Sequence, residues 1–122
     1  MIEVRELRYG NLITYKGDVI PVTMIGRHGI QSKTEDWLIN AKFATPDLEP
    51  IQLTDEWFLR MGFEKEGVQW WDKDGGTSFE DCGKGVFRTY TNGCHVVLIC
   101  FVHQLQNLYF ALTGNELTIK AL

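Results

Sequence analysis

Cysteine and histidine are the residues of this sequence that could bind a metal ion, and four of them lie close together. Cys94, His95, Cys100 and His103 fall within ten residues. Zinc sites commonly take two ligands from one turn or one helix face, but the cluster contains neither a CxxC nor an HxxxH pair. On a strand, Cys94 and His95 point to opposite faces. We therefore expect no metal site and no cofactor, with the thiols as small buried side chains and the histidines hydrogen-bonded.

A catalytic thiol would need a neighbouring group that favours the thiolate. Cys82 has the acidic neighbours Glu80 and Asp81, which disfavour a second negative charge. The segment 72–75 begins like a calcium-binding EF-hand loop, but the glycine at the sixth position and the glutamate at the twelfth are missing. These patterns predict no catalytic residue. An unrecognised enzyme is therefore the least favoured of three interpretations of the function, after an interaction module and a nucleic-acid-associated protein.

The charged residues are distributed unevenly along the chain. Residues 41–85 carry ten acids and five bases, whereas residues 89–115 contain no Asp, Glu, Lys or Arg. A protein that binds nucleic acid without sequence specificity normally shows a basic patch or a high isoelectric point, and the net charge here is −4. Nucleic acid is therefore an unfavoured partner. The uncharged stretch needs a cover, either inside the chain or from a partner.

Length and composition indicate one soluble domain over residues 1–122, with no segment able to cross a membrane. The chain has 122 residues, of which 44% are hydrophobic and 23% charged, close to the averages of globular proteins. The longest apolar run, at 96–102, is much too short to span a bilayer. The first ten residues carry four charges and no apolar run like that of a signal peptide. These features predict a cytoplasmic protein with reduced thiols.

The elements form an α+β pattern that begins with a β meander over residues 1–45, or an SH3-like barrel. Short apolar runs alternate there with turn residues, notably at Lys16-Gly17-Asp18 and Arg27-His28-Gly29. Pro21 removes a backbone donor, so its strand should lie at a sheet edge or contain a bulge. Residues 46–122 are expected to hold a helix, a second antiparallel sheet and a packed C-terminal helix.

The first helix is predicted over 55–61 because its start and stop signals agree. Thr54 suits the N-cap, and Asp55 and Glu56 place negative charge in the first turn. Gly62 suits the left-handed position after the helix, and Phe63 can fold back onto the last turn.

The second sheet is predicted over 68–101. Its last strand, CHVVLICF, is apolar at nearly every position, which is typical of a central strand covered on both faces. A helix should then run from about Val102 to Gly114, with Leu117 and Ile119 in a possible final strand.

Four residues form the candidate interaction surface. On the C-terminal helix, Phe110 falls outside the stripe that should face the core, beside His103 and Gln106. Adjacent Trp70 and Trp71 point to opposite faces of a strand, so Trp71 is the one that could point outward. The Phe110 flank is covered either by both sheets of the chain or by a second chain, and both interpretations are open at this point.

Three segments of the sequence together carry a resemblance to a known family: LRYGNLI, EPIQLTDEWFLRMGFEK and FVHQLQNLYFALTGNELTI. In this order they resemble a family of small uncharacterised proteins from Bacteroidetes and their phages or mobile elements. The resemblance implies a compact domain in a bacterial cytoplasm or a phage-infected cell. It implies no activity, cofactor or catalytic residue.

The favoured function from sequence is a non-enzymatic protein–protein interaction module, which could form homo-oligomers. The alternative is a nucleic-acid-associated accessory protein of a phage or mobile element, which a small barrel permits and the acidic charge disfavours.

Overall fold

A computed structural model describes residues 6–72 and 76–119 and has the α+β architecture expected from the sequence. Its strands belong to three antiparallel sheets. Along the sequence, one of its two helices precedes the largest sheet and the other follows it. The elements are β1 (Leu12–Tyr15), β2 (Asp18–Pro21), β3 (Met24–Ile25), β4 (Gly29–Lys33), β5 (Leu38–Lys42), β6 (Leu48–Glu49), α1 (Asp55–Arg60), β7 (Glu64–Glu66), β8 (Gln69–Trp71), β9 (Thr77–Asp81), β10 (Phe87–Thr91), β11 (Cys94–Ile99) and α2 (Val102–Thr113).

The N-terminal part is the predicted meander, divided between two three-stranded sheets of order β2-β1-β6 and β3-β4-β5. Lys16 and Gly17 both have positive φ, 51° and 86°, as a two-residue hairpin turn requires. Pro21 ends β2, which is an edge strand as predicted. β6 pairs with β1, so this part extends to Glu49. Both sheets contribute to one cluster of buried residues, which includes Leu7, Ile13, Ile20, Val22, Ile30, Ala41 and Leu48.

The helix α1 has the predicted boundaries to within one residue. Thr54 is the extended N-cap residue, without a side-chain capping bond. Gly62 has a φ of 85° and donates its N–H to Leu59 O at 3.1 Å, while Phe63 donates to Phe58 O at 3.1 Å. These two bonds define a Schellman motif, in which the left-handed glycine lets the chain turn back onto the helix.

The second part is a five-stranded antiparallel sheet of order β11-β10-β9-β8-β7, packed against both helices. The sequence prediction missed β7, because its residues Glu64–Glu66 are all charged. Trp70 is buried and stacks on Phe58, with 5.2 Å between ring centroids. Phe79 and Phe87 complete this aromatic centre around Phe58.

The prediction that the last strand is central and covered on both faces is wrong. β11 lies at the edge of the sheet, and Val96, Val97 and Leu98 are 45%, 41% and 51% exposed. Its pairing with β10 also shifts register between Arg88 and Tyr90, so the simple alternation of faces does not hold. Only Ile99 of this strand is fully buried.

The helix α2 has the predicted ends, with Gly114 in the left-handed conformation at a φ of 75°. At its start, the side chain of Gln104 accepts the N–H groups of Cys100 and Phe101 at 2.8 and 3.1 Å. Leu105 is fully buried in the core. Residues 115–119 form no strand, contrary to the prediction, although Leu117 and Ile119 pack against the same core.

Candidate interaction surface

His103 and Gln106 lie inside the protein rather than on its surface. His103 is 1% exposed, and its Nε2 lies 2.9 Å from a carboxylate oxygen of Glu6. The buried Gln106 accepts the N–H of Leu12 at 2.9 Å and donates to the carbonyl of Gly10 at 3.2 Å. Both contacts are made to residues 6–12, which we call the N-terminal segment.

Asn107 extends this contact between α2 and the N-terminal segment. Its Oδ1 accepts bonds from Arg8 Nη1 at 3.0 Å and from the buried Asn11 at 2.8 Å, and its Nδ2 donates to the carbonyl of Glu6. Amide side chains can both donate and accept, so they satisfy the polar groups of an irregular segment without the desolvation cost of a charge. This accounts within the chain for much of the missing charge on α2.

Phe110 is the residue of the predicted α2 flank that stays at the surface. It is 40% exposed, and the guanidinium of Arg8 lies 4.4 Å from the centre of its ring. Trp71 is half-buried and lies on β8, on the opposite face of the sheet from the buried Trp70. The four residues proposed from sequence therefore do not form one continuous surface.

The register of the sheet places Trp71 in a row of side chains that cross its outer face, away from the core. From β7 to β11 the row runs through Glu64, Trp71, Ser78, Tyr90 and His95. The rings of Tyr90 and His95 meet edge to face at 6.0 Å. We call Trp71, Tyr90 and His95 the aromatic row.

A charged pair lies beside the aromatic row. Arg88 and Glu80 are cross-strand neighbours with 3.6 Å between Nη1 and Oε1. A hydrogen bond to Tyr90 raises the pKa of Arg88. Because Arg88 is exposed, its pair with Glu80 contributes little to stability.

A groove of about 450 Å³ lies between β11 and α2. The groove is lined by the apolar residues Val97, Leu98, Ile99 and Leu108, and by Glu6 and Arg8 of the N-terminal segment. The exposed residues of β11 thus continue into a concave apolar surface. Sequence reasoning had assigned these β11 residues to the core.

The edges of the sheets differ in how they are protected from pairing with another strand. β7, at one edge of the large sheet, carries Glu64, Lys65 and Glu66. β2 begins with Asp18 and ends with Pro21. β11 has six residues, more than any other edge strand in the described ranges, and carries neither a charge nor a proline. Charges and prolines are two of the usual protections of an exposed edge, and β11 has neither; its irregular pairing with β10 is the protective feature that it carries.

The cysteines give no sign of a metal centre. Cys82 and Cys94 are exposed, contrary to the expectation of buried thiols, and Cys100 is half-buried; all three are free. Within residues 6–72 and 76–119, no three His, Cys, Asp or Glu side chains are grouped so that they could hold a metal ion.

Comparisons with known proteins add no relative: no protein-family model, no curated protein and no solved structure matches the chain. In the described part of the chain, neither helix has the length and apolar character that crossing a membrane requires.

Proposed function

We propose that this protein is a non-enzymatic interaction module that associates with copies of itself through β11. The observation that carries the proposal is the exposure of Val96, Val97 and Leu98 on an edge strand without charge or proline. The free edge of such a strand offers backbone donors and acceptors to another strand. Its side chains add apolar area, at about 25 cal/mol for each Å² removed from water.

The charge distribution also favours association at this place. The protein has a net charge of −4, so two copies repel one another overall. The uncharged residues 89–115 include all of β11 and α2. A contact made there needs neither the desolvation nor the pairing of a charged side chain on those elements.

Light scattering coupled to size exclusion tests the proposal. We expect the wild type to have a mass well above the 14.0 kDa of one chain, and Leu98→Lys to reduce it to that of a monomer with an unchanged circular dichroism spectrum. Val68→Lys is the matched control, because Val68 is similarly exposed in the turn between β7 and β8. A wild type that stays monomeric at millimolar concentration contradicts the proposal.

A nucleic-acid-associated accessory role is the second candidate, and the aromatic row favours it. Partly exposed aromatic rings on an antiparallel sheet can stack on unpaired bases, and Arg88 lies beside them. Glu64 and Glu80 on the same face weaken the attraction for phosphates.

Fluorescence anisotropy with a labelled single-stranded oligonucleotide tests this second candidate. Trp71→Ala should weaken binding about fivefold or more if Trp71 stacks on a base, from about 1–3 kcal/mol per stacked base. Trp37→Ala, at an exposed tryptophan of the N-terminal part, should leave it unchanged. Absence of binding at low salt excludes this candidate.

We place the protein in the cytoplasm of a bacterium or of a phage-infected cell. The free thiols support a reducing compartment, and the resemblance of the three segments to the Bacteroidetes family supports the setting.

A further inference from the structure

The centre of β11 is a β-bulge. Arg88 pairs with Leu98 and Tyr90 pairs with His95, so Thr89 alone lies opposite two residues, Val96 and Val97. Two residues on one strand against one on its neighbour is the definition of a bulge, and it interrupts the regular alternation of side chains.

Because of the bulge, the two halves of β11 present inner and outer side chains in the same order when each half is read from its own end of the strand. Ile99 pairs with the core residue Phe87, and Cys94 pairs with Thr91, four residues further along β10, so both lie on the inner face. Leu98 and His95 pair with Arg88 and Tyr90 on the outer face. Read from either end, the strand presents an inner residue, an outer residue and then one residue of the bulge.

We propose that two copies of this chain pair their β11 strands antiparallel, about a two-fold axis between Val96 and Val97. Cys94 then lies opposite Ile99 of the second copy, His95 opposite Leu98, and Val96 opposite Val97. Paired residues of an antiparallel ladder share a face, and this register satisfies that rule for Cys94, His95, Leu98 and Ile99, the four residues of the strand outside the bulge. The inference rests on the proposed function and specifies its geometry.

Neighbouring registers break the rule. In the register that places Val96 opposite Val96 of the second copy, the outer His95 lies opposite Val97, and the inner Cys94 lies opposite the outer Leu98. A shift by one residue in the other direction sets Leu98 against Val96 and His95 against Ile99. A one-residue slip turns side chains to the wrong face, so these registers are disfavoured. In a strand without a bulge, paired residues share a face only if one residue lies opposite its own copy, so the axis lies at the level of that residue. The bulge in β11 moves the axis to a level between two residues.

A second copy fits this edge better than an unrelated strand does. The strand is complementary to itself in length and in the order of its faces, and it brings no like charges together. A bulge normally discourages edge pairing by bending the strand, so this pairing requires the free edge of β11 to straighten at Val96 and Val97. The two five-stranded sheets become one sheet of ten strands.

Cross-linking of two single-cysteine variants tests the register. In a background with Cys82, Cys94 and Cys100 replaced by Ser, His95→Cys and Leu98→Cys are prepared separately, then mixed and treated with diamide. Directly opposite residues have Cα atoms about 4.5–5.5 Å apart, within the range of a disulfide. Two copies of residue 95 are offset by three positions, about 10 Å along the strand, which is too far.

We expect a disulfide-linked dimer only in the mixture, with at least tenfold more product than in either variant alone. A dimer of normal mass in which His95→Cys cross-links by itself overturns the register but leaves self-association in place. A monomeric wild type overturns both.

Discussion

Arg8 brings a positive charge to the uncharged helix α2 by lying over Phe110. Its guanidinium carbon is 4.4 Å from the ring centre, while one terminal nitrogen donates to Asn107 at 3.0 Å and the other pairs with Glu116 at 2.9 Å. A single side chain of the N-terminal segment thus contacts α2 and the residues that follow it. The flank of Phe110 is partly covered by the chain itself, which reduces the case for a partner at that place.

The contact between Arg8 and Phe110 predicts a measurable coupling. In a double-mutant cycle of Arg8→Ala and Phe110→Ala, we expect a coupling free energy of about 0.5–1 kcal/mol, typical of a cation–π pair at an exposed site. Urea unfolding of the four proteins measures it. The same cycle with Leu112→Ala, on the same helix, should give no coupling beyond error. Equal coupling free energies in the two cycles would show that the contact between Arg8 and the ring of Phe110 does not contribute to stability.

Gln106→Leu should destabilise the protein although it keeps the size of the side chain. The substitution removes the partner of the half-buried Leu12 N–H and of the more exposed Gly10 carbonyl, at a cost of about 1–2 kcal/mol. Gln106→Glu keeps an acceptor for the Leu12 N–H, so hydrogen exchange at that amide should be slower than in Gln106→Leu. An unchanged midpoint of urea unfolding for Gln106→Leu would mean that water replaces both bonds.

Gly62→Val should cost about 1–2 kcal/mol through backbone strain alone. A Cβ at Gly62 would meet no heavy atom within 4 Å, so crowding is excluded, and the φ of 85° is unfavourable for a residue with a side chain. Gly76→Val is the control, since that site is equally open and lacks a positive φ. Thermal unfolding of both variants should separate them by several degrees. Equal melting temperatures would refute the assigned helix end.

Leu105→Asp should abolish folding, whereas Leu112→Asp on the same helix should not. Leu105 is fully buried in the larger core, where an aspartate would have no partner, while Leu112 is 38% exposed. Circular dichroism and proteolysis distinguish the outcomes. A folded Leu105→Asp protein would mean that α2 can leave the sheet without unfolding the rest.

The thiols should react at two different rates with a thiol reagent. In the Leu98→Lys variant, where no second copy covers β11, the exposed Cys82 and Cys94 should be modified rapidly, whereas the half-buried Cys100 should react at least tenfold more slowly. Time-resolved absorbance with a disulfide reagent counts the fast thiols. Cys100→Ser is the control and should remove only the slow phase. Three equally fast thiols would contradict the packing of the segment between β11 and α2.

Local chemistry explains which elements could be predicted from the sequence. Gly62 and Gly114 occupy left-handed positions that few other residues adopt, so both helix ends were correct. The turn at Lys16-Gly17 was found for the same reason. These signals lie within a few residues of the structure that they specify.

The errors concern features that depend on distant residues. An apolar strand has the same sequence pattern whether neighbouring elements cover it or leave it exposed, so the position of β11 at the edge could not be inferred. The bulge opposite Thr89 arises from pairing with β10 and leaves no local signature. Amides such as Gln106 suit both a buried segment and an interface, and their partner lies 94 residues away.

The contact between α2 and the N-terminal segment also determines when the protein can complete its folding. The bonds from Gln106 and Asn107 join residues 94–101 positions apart in the chain. During synthesis, the N-terminal segment therefore emerges from the ribosome long before its partner helix exists. Closing so long a loop is slow, because its entropy is lost before the contacts form. The small N-terminal sheets must hold their polar segment in water until the last quarter of the chain has been made.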